Sequence, residues 1–496
     1  MFFGLAAIMN KPYQTLQIAR FALGARYETI PESTIDQLKK HLLDALGSML
    51  HATTRPSIQK LVKQLKVLGA GGPCTVPLLG KLPYDRAAQL FTALIRYPDF
   101  MDNFLGKEAT CHPSDNIGAL LAMSQYTNAS GKDFLTAMAV GYQLECRLIE
   151  ELPVMKKGID HTVLLAYSVA AAMSNLLKLN EEQTAHALGM AGCAINSMVT
   201  SRASYTYEWK GFASSLDAPD CTNIVLLAEQ GMTGPISIFE GPKGVEDVFG
   251  LKLDYDWSKE TFELIPKCIL KKYNAEVHSQ SILEAVAALR KEHHPDPNAI
   301  EKIEITTFLT AYHIIGSGAY GDRKTVHSKE QADHSLFYVV AALLLDGELY
   351  PEQFEPERIN RADVQELMQR VHVHTKLPVH TPVMVAGALD TYTIAYPDKM
   401  KAKVEIVLKD GNSYVYEAAD YPGFHTRPFS WEDSIQKFKR LATGVINEQQ
   451  TETLIDTVRQ LDGLKDLEPL LKLVAGAGIS AASKQVAAAQ EGVSNN

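Results

Sequence analysis

KDFLTAMAVGYQLECRLIEEL (132–152) and TVLLAYSVAAAMSNLLKL (162–179) decide the fold class: both read as helices, and the second is apolar on nearly every face. A helix without a polar side has nothing to present to water, so it belongs inside a bundle. The same three- and four-residue spacing of apolar positions recurs in IDQLKKHLLDALGSMLHA (35–52), DRAAQLFTALIRY (85–97), NIGALLAMSQYT (116–127) and EEQTAHALGMAGCAINSM (181–198). PESTIDQL supplies capping residues to the first of these. The helical pattern runs from Leu16 to about Pro266.

Beyond Pro266 the period changes. AIEKIEITTFL (299–309) alternates as a strand does, and KAKVEIVLKDGNSYVYEAA (401–419) reads as a hairpin turning at Asp410-Gly411-Asn412. Helical patterns lie between them at 279–293, 334–347 and 361–371. From Trp431 the pattern is helical again, and the tail after Gly476 is rich in Ala, Ser and Gln. The expected architecture is mostly α with an α+β part. An all-helical domain is built from both chain ends (1–265 and 426–496), and a smaller α+β lid domain is inserted at 266–425. A cleft between two domains is the usual place for a small-molecule site.

Composition narrows the function. The 496 residues are 46% hydrophobic and 21% charged, with 32 Gly and 23 Pro, which excludes collagen-like, disordered and disulfide-scaffold classes. A net charge of −10, from 48 basic and 58 acidic residues without a long basic run, argues against nucleic-acid or anionic-membrane partners. The six cysteines form no CxxC and their spacing gives no reason for them to converge, so reduced, mostly buried thiols of a cytoplasmic protein are expected. The opening MFFGLAAIMNKP lacks a basic n-region, and the longest other apolar run, Leu336 to Leu345, is too short to span a bilayer.

The most polar stretch set between apolar helices is YPDFMDNFLGKEATCHPSDN (97–116), with Asp99, Asp102, Lys107, Glu108, His112, Ser114 and Asp115. Ser114 and Asp115 suit helix capping. The remaining carboxylates and the histidine are costly beside apolar helices unless they serve a function. His161 precedes the helix at 162, and Lys210 lies among aromatic and small residues ahead of another apolar helix. Lys271, Lys272, Glu276 and His278 gather where the inserted domain begins. A Gly-rich loop carries Tyr320, Arg323, His327 and His334 but has neither GxGxxG nor Walker spacing. HVHTKLPVHT (372–381) holds three histidines without the carboxylate partners of a metal site. No metal and no cofactor is therefore expected.

Six segments in order carry a resemblance: LLDALGSMLHA (42–52), DFMDN…HPSDN (99–116), EWKGFA (208–213), KKYNAEVHSQ (271–280), ADHSLFYVVAALLLDG (332–347) and GFHTRPFSWEDSIQKFKRLA (423–442). The chain resembles the MmgE/PrpD family, which includes 2-methylcitrate dehydratase and cis-aconitate decarboxylase. The resemblance implies a helical domain with an α+β lid, a homodimer, and an active site between the domains. It implies catalytic roles for Asp99, His112, His161, Lys210, Lys271 and Tyr320; Arg323, Asn103, Lys272 and His278 are expected to contact the substrate. Met101-Asp102-Asn103 departs from the family's Asp-Asp-Thr, which removes a hydroxyl. HPSDN and AEVHSQ look more like the dehydratase branch.

The chemistry implied is removal of water from a 2-hydroxy tricarboxylate. Taking a proton from beside a carboxylate builds up negative charge, which fixed cations such as Lys210, Lys271 and Arg323 would neutralise. Histidine suits both proton transfers near neutral pH, and His112 with His161 is the expected pair, Asp99 orienting or charge-stabilising His112. Decarboxylation or epimerisation of a related polycarboxylate would use similar equipment, and a family member that has lost its chemistry is the third alternative.

Overall fold

The computed structural model describes residues 12–106, 109–203, 205–378, 381 and 383–476; the apolar opening, Lys107, Glu108, His380 and the Ala/Ser/Gln-rich tail lie outside the described residues. The helical part contains α1 (Gln14–Gly24), α2 (Glu32–Ala52), α3 (Pro56–Leu68), α4 (Tyr84–Arg96), α5 (Asp115–Thr127), α6 (Gly131–Glu151), α7 (Thr162–Leu176), α8 (Glu181–Ala194) and α9 (Ala213–Glu229). Every residue of α7 is buried, as its all-round apolar sequence requires. α6 starts at a capping box in which the Ser130 hydroxyl accepts from the Asp133 N–H and the Asp133 carboxylate accepts from the Ser130 N–H. α4 packs on α5 and α9, and α6 on α7. Gly118 lets α4 and α5 approach closely, since a Cβ there would lie 2.3 Å from the Thr92 nitrogen.

The second part contains α10 (Gln280–His293), α11 (Leu336–Asp346) and a four-stranded sheet. β5 (Ile300–Thr307) pairs in parallel with β6 (Val371–Thr375) and antiparallel with β7 (Ala402–Leu408). The Gly411 turn joins β7 to β8 (Ser413–Ala418). Ile303, Ile305 and Thr307 of β5 alternate inward, and α10 covers the sheet at β7 and β8. The chain then returns as α12 (Trp431–Ala442), which packs on α2, and α13 (Glu448–Arg459). One hydrophobic core draws on residues from Ile18 to Cys268 and from Ile435 to Val474; the other runs from Ile269 to Phe424 and takes in Leu105.

The helical part is not wholly helical. Two short antiparallel ribbons interrupt it, β1 (Cys74–Val76) with β2 (Gly80–Leu82) and β3 (Phe104–Leu105) with β4 (Thr110–Cys111). The first falls in GAGGPCTVPLLGKLP, where glycines and prolines break a helix. The cysteines also depart from expectation: five of the six are buried, but the Cys146 and Cys268 sulfurs lie 3.6 Å apart with the Cys111 thiol beside Cys146. Sequence spacing does not register contacts that helix packing creates. Among the described residues no helix is long and apolar enough to cross a membrane.

Candidate active site

The loop after α4 is tied down by its second aspartate. The Asp102 carboxylate accepts from the Ser114 N–H at 3.0 Å and from the Tyr142 hydroxyl at 2.8 Å, and pairs with His41 Nδ1 at 2.6 Å. Those partners stand on α6 and α2 and just before α5. Asn103 and Ile269 exchange backbone hydrogen bonds of 3.0 and 2.8 Å, fastening the loop to the segment that enters the second core.

Asp99 takes the left-handed backbone conformation, with φ of 56°, an unusual one for a residue with a side chain. Its carboxylate accepts from Lys210 Nζ at 2.7 Å and Lys271 Nζ at 3.2 Å, with Arg96 Nη1 at 3.4 Å; Lys271 also donates to the Asp99 carbonyl at 2.7 Å. Burial pushes the Asp99 carboxyl up, but Lys210, Lys271 and Arg96 override it and hold the group well below its usual value. Lys210 lies in the turn Glu208–Gly211 ahead of α9; burial lowers its pKa against the pull of Asp99.

Asp99, Asn103, His112, His161, Lys210, Lys271 and Tyr320 line one cavity. The His112 and His161 rings stand 5.4 Å apart, centre to centre. His112 Nδ1 lies 3.0 Å from both the Asp102 carbonyl, which accepts, and the Asn103 amide nitrogen, which donates, so the two neighbours favour opposite tautomers. Burial and then Arg96 bring His112 well below the usual histidine value. Both His161 nitrogens are buried without a hydrogen-bond partner among the described residues, and burial followed by Arg202 lowers this ring to about 3. Both imidazoles are thus neutral at pH 7. Burial raises the Tyr320 hydroxyl.

Four sequence expectations meet a different arrangement. Asp99 does not orient His112, because its oxygens are committed to ammonium groups and His112 is held by a backbone carbonyl. Lys272 is not a wall residue: its ammonium bonds Glu284 at 2.7 Å. His278 stands behind the wall, bound through Nδ1 to Glu276 at 2.7 Å and through Nε2 to the Tyr396 hydroxyl at 3.0 Å. Arg323 donates to the Ile314 carbonyl at 2.8 Å and lines an adjoining cleft of about 200 Å³ with Tyr205 and Thr206.

Three ionisable wall residues were not among the expected site residues: Arg202, Glu276 and His334. Arg202 is buried and donates to the Asp160 carboxylate at 2.6 and 3.3 Å. His334 Nδ1 lies 2.6 Å from Asp333, whose other oxygen accepts from Lys329 at 2.9 Å. Glu276 and His334 stood in polar clusters visible in the sequence, whereas an isolated arginine such as Arg202 carries no pattern.

Ligating atoms of Asp99, Asp333 and His334 lie within 4.8 Å of one another, the one such grouping among the described residues. Ammonium groups already fill that space, with Lys210 Nζ 2.7 Å from Asp99 and 3.2 Å from His334. Of the HVH histidines, His374 pairs with Glu304 at 2.8 Å.

The cavity measures about 50 Å³, far under the roughly 300–1,000 Å³ of ligand pockets, so its walls must part to admit a substrate. A larger hollow of about 760 Å³ lined by Phe21, Trp257 and Phe262 has no lysine or histidine in its walls, and the smaller one holds the chemistry.

Family models for the MmgE/PrpD N-terminal domain and the MmgE/PrpD C-terminal domain match residues 16–258 and 273–463. The chain is 24% identical to cis-aconitate decarboxylase of Mus musculus over 474 residues, 92% of each protein. It is 27% identical to 2-methylcitrate dehydratase of Escherichia coli K12 over 424 residues, which cover 81% of this chain and 84% of the relative. With the mitochondrial 2-methylcitrate dehydratase of Yarrowia lipolytica the identity is 28% over 399 residues, 76% of this chain and 73% of the relative. Both halves of the fold are matched, and this chain belongs to the MmgE/PrpD family.

Proposed function

We propose that this protein is a lyase of small polycarboxylates, and specifically a cofactor-independent hydro-lyase that dehydrates 2-methylcitrate or a near relative to a cis-aconitate-type alkene. The observation that carries the reading is the convergence of Lys210, Lys271 and Arg202 with the neutral rings of His112 and His161 on one buried cavity.

The difficult step is loss of a proton alpha to a carboxylate. Fixed ammonium and guanidinium groups in a site of low dielectric offset the charge that develops, and they need no reorganisation as it appears. Asp99 gives the buried Lys210 and Lys271 a counter-charge, without which burying ammonium groups is costly. A bound polyanion favours imidazolium, so one ring of the His112–His161 pair takes up a proton with the substrate and serves as the acid for the leaving hydroxyl. The proton acceptor is an imidazole that stays neutral. Tyr320 donates a hydrogen bond to a substrate carboxylate or hydroxyl. Asn103 stands where the family's hydroxyl would be and offers an amide instead.

Decarboxylation requires an acid and cations but no base. A cavity whose histidines are held neutral is equipped for proton removal, which favours dehydration. The test incubates metal-stripped protein with 2-methylcitrate, citrate and cis-aconitate. Ultraviolet absorbance from a new conjugated alkene with the first two is the expected result. Release of carbon dioxide from cis-aconitate without alkene formation would assign the protein to decarboxylation.

A further inference from the structure

Three histidines line the cavity, and only one has a carboxylate within hydrogen-bond distance. His112 Nδ1 meets a backbone carbonyl, and the nitrogens of His161 have no hydrogen-bond partner among the described residues, Asp160 Oδ1 lying 3.7 Å from Nε2. His334 Nδ1 lies 2.6 Å from the Asp333 carboxylate, which the Lys329 ammonium holds from the other side at 2.9 Å. Asp333 is buried and ionised, because Lys329 and Lys210 override the effect of burial on it. An ionised carboxylate at that distance accepts, so Nδ1 of His334 carries the hydrogen and Nε2 carries the lone pair. Nε2 has no hydrogen-bond partner among the described residues, and the ring lines the cavity. The position is rigid. Ser335 caps α11 through the Tyr338 N–H, and its hydroxyl donates to the Arg323 carbonyl at 2.5 Å.

We propose that His334, oriented by Asp333, is the base that takes the proton alpha to the substrate carboxylate; this rests on the dehydratase reading above. In the step an N–H bond forms at Nε2 as the substrate C–H bond breaks. The released electron pair becomes the C=C bond and the C–O bond to the hydroxyl breaks. The leaving oxygen takes its proton from the His112–His161 pair, so the products are alkene and water. Asp333 is a positioning residue: it fixes the tautomer and stabilises the imidazolium that forms, as a carboxylate behind an imidazole does in general. Burial first, and then the ammonium of Lys210 at 3.2 Å from Nδ1, lowers the ring's pKa against the pull of Asp333.

The experiment compares wild type, His334→Gln and Asp333→Asn on 2-methylcitrate and on 2-methylcitrate deuterated at the carbon that loses its proton, with folding checked by circular dichroism. Asn in place of Asp333 presents an amide of the same shape that no longer demands a hydrogen on Nδ1. Both variants are expected to lose about 10²–10⁴-fold in kcat and to show a larger deuterium isotope effect than wild type, because proton removal becomes the slow step. A kcat within tenfold of wild type in folded His334→Gln, or a loss without a larger isotope effect in both variants, overturns the assignment. If wild type dehydrates neither 2-methylcitrate nor citrate, the dehydratase reading itself fails, and this assignment with it.

Discussion

Replacing Asp99 by asparagine tests whether the cations of the cavity depend on one carboxylate. Asp99 and its partners Lys210 and Lys271 have side chains only 7%, 6% and 1% exposed, so little solvent screens them. Removing one member of a buried ionic cluster leaves the others uncompensated, at about 3–5 kcal/mol. At about 2.1 cal/mol/K per residue, the 496-residue chain has an unfolding entropy near 1.0 kcal/mol/K. The expected fall in Tm is therefore about 3–5 °C if the chain melts as one unit. The control is Glu452→Gln, which breaks an exposed pair with Lys439 at 2.5 Å and is expected to leave Tm almost unchanged. Differential scanning calorimetry of both variants reads the result. Citrate is expected to restore part of the Asp99→Asn loss, since a polyanion can sit against the unneutralised ammonium groups. A Tm shift for Asp99→Asn no larger than that of the control would refute the argument that Asp99 holds these cations in place.

Other variants probe the remaining assignments. His112→Ala is expected to fold normally by circular dichroism and to lose about 10²–10⁴-fold in turnover, with near-wild-type kcat counting against its role. Lys272→Ala is expected to leave kcat/KM on 2-methylcitrate within about twofold, because its ammonium is on Glu284 outside the cavity and surface changes of this kind have small effects. His161 makes stability depend on pH: its folded-state value of about 3 lies below the ordinary 6.5. As pH falls through 6.5 the unfolded chain therefore takes up the proton first, and stability present above 6.5 is progressively lost on the way to about 3. Urea unfolding at pH 7.5 and 5.5 is expected to show a drop smaller by about 1.4 kcal/mol in His161→Gln than in wild type; equal drops would contradict the neutral, buried ring.

The helical core and the lid sheet were legible because each rests on local periodicity. The all-round apolar run at 162–179 permitted only a central helix, and Asp410-Gly411 between β-rich runs permitted only a hairpin. The same reasoning could not see that Cys111, Cys146 and Cys268 gather, since a short ribbon strand, a helix and a linker bring them together. The site was partly legible. His112 and Asp99 stood out because polar groups between apolar helices are costly without partners. Lys272 and Lys271 are neighbours in sequence, yet their ammonium groups go to Glu284 and to Asp99, and nothing local distinguishes the two.

What sequence proximity hides most is which carboxylate serves which base. Asp99 and His112 are close along the chain, but the groups that hydrogen-bond the Asp99 carboxylate are cations, and it acts as their counter-charge. The Asp–imidazole pair that the chemistry asks for stands elsewhere, at Asp333 and His334, adjacent in sequence at the start of an apolar helix. Asp99 gives its side-chain oxygens to cations, whereas Asp333 gives one oxygen to Lys329 and the other to His334. Dehydration needs both services at once, charge neutralisation for the substrate and basicity for the proton acceptor. Asp99 gives its oxygens to Lys210 and Lys271 while Asp333 meets His334, so Asp99→Asn should act first on stability and substrate affinity, and Asp333→Asn first on the rate of proton removal.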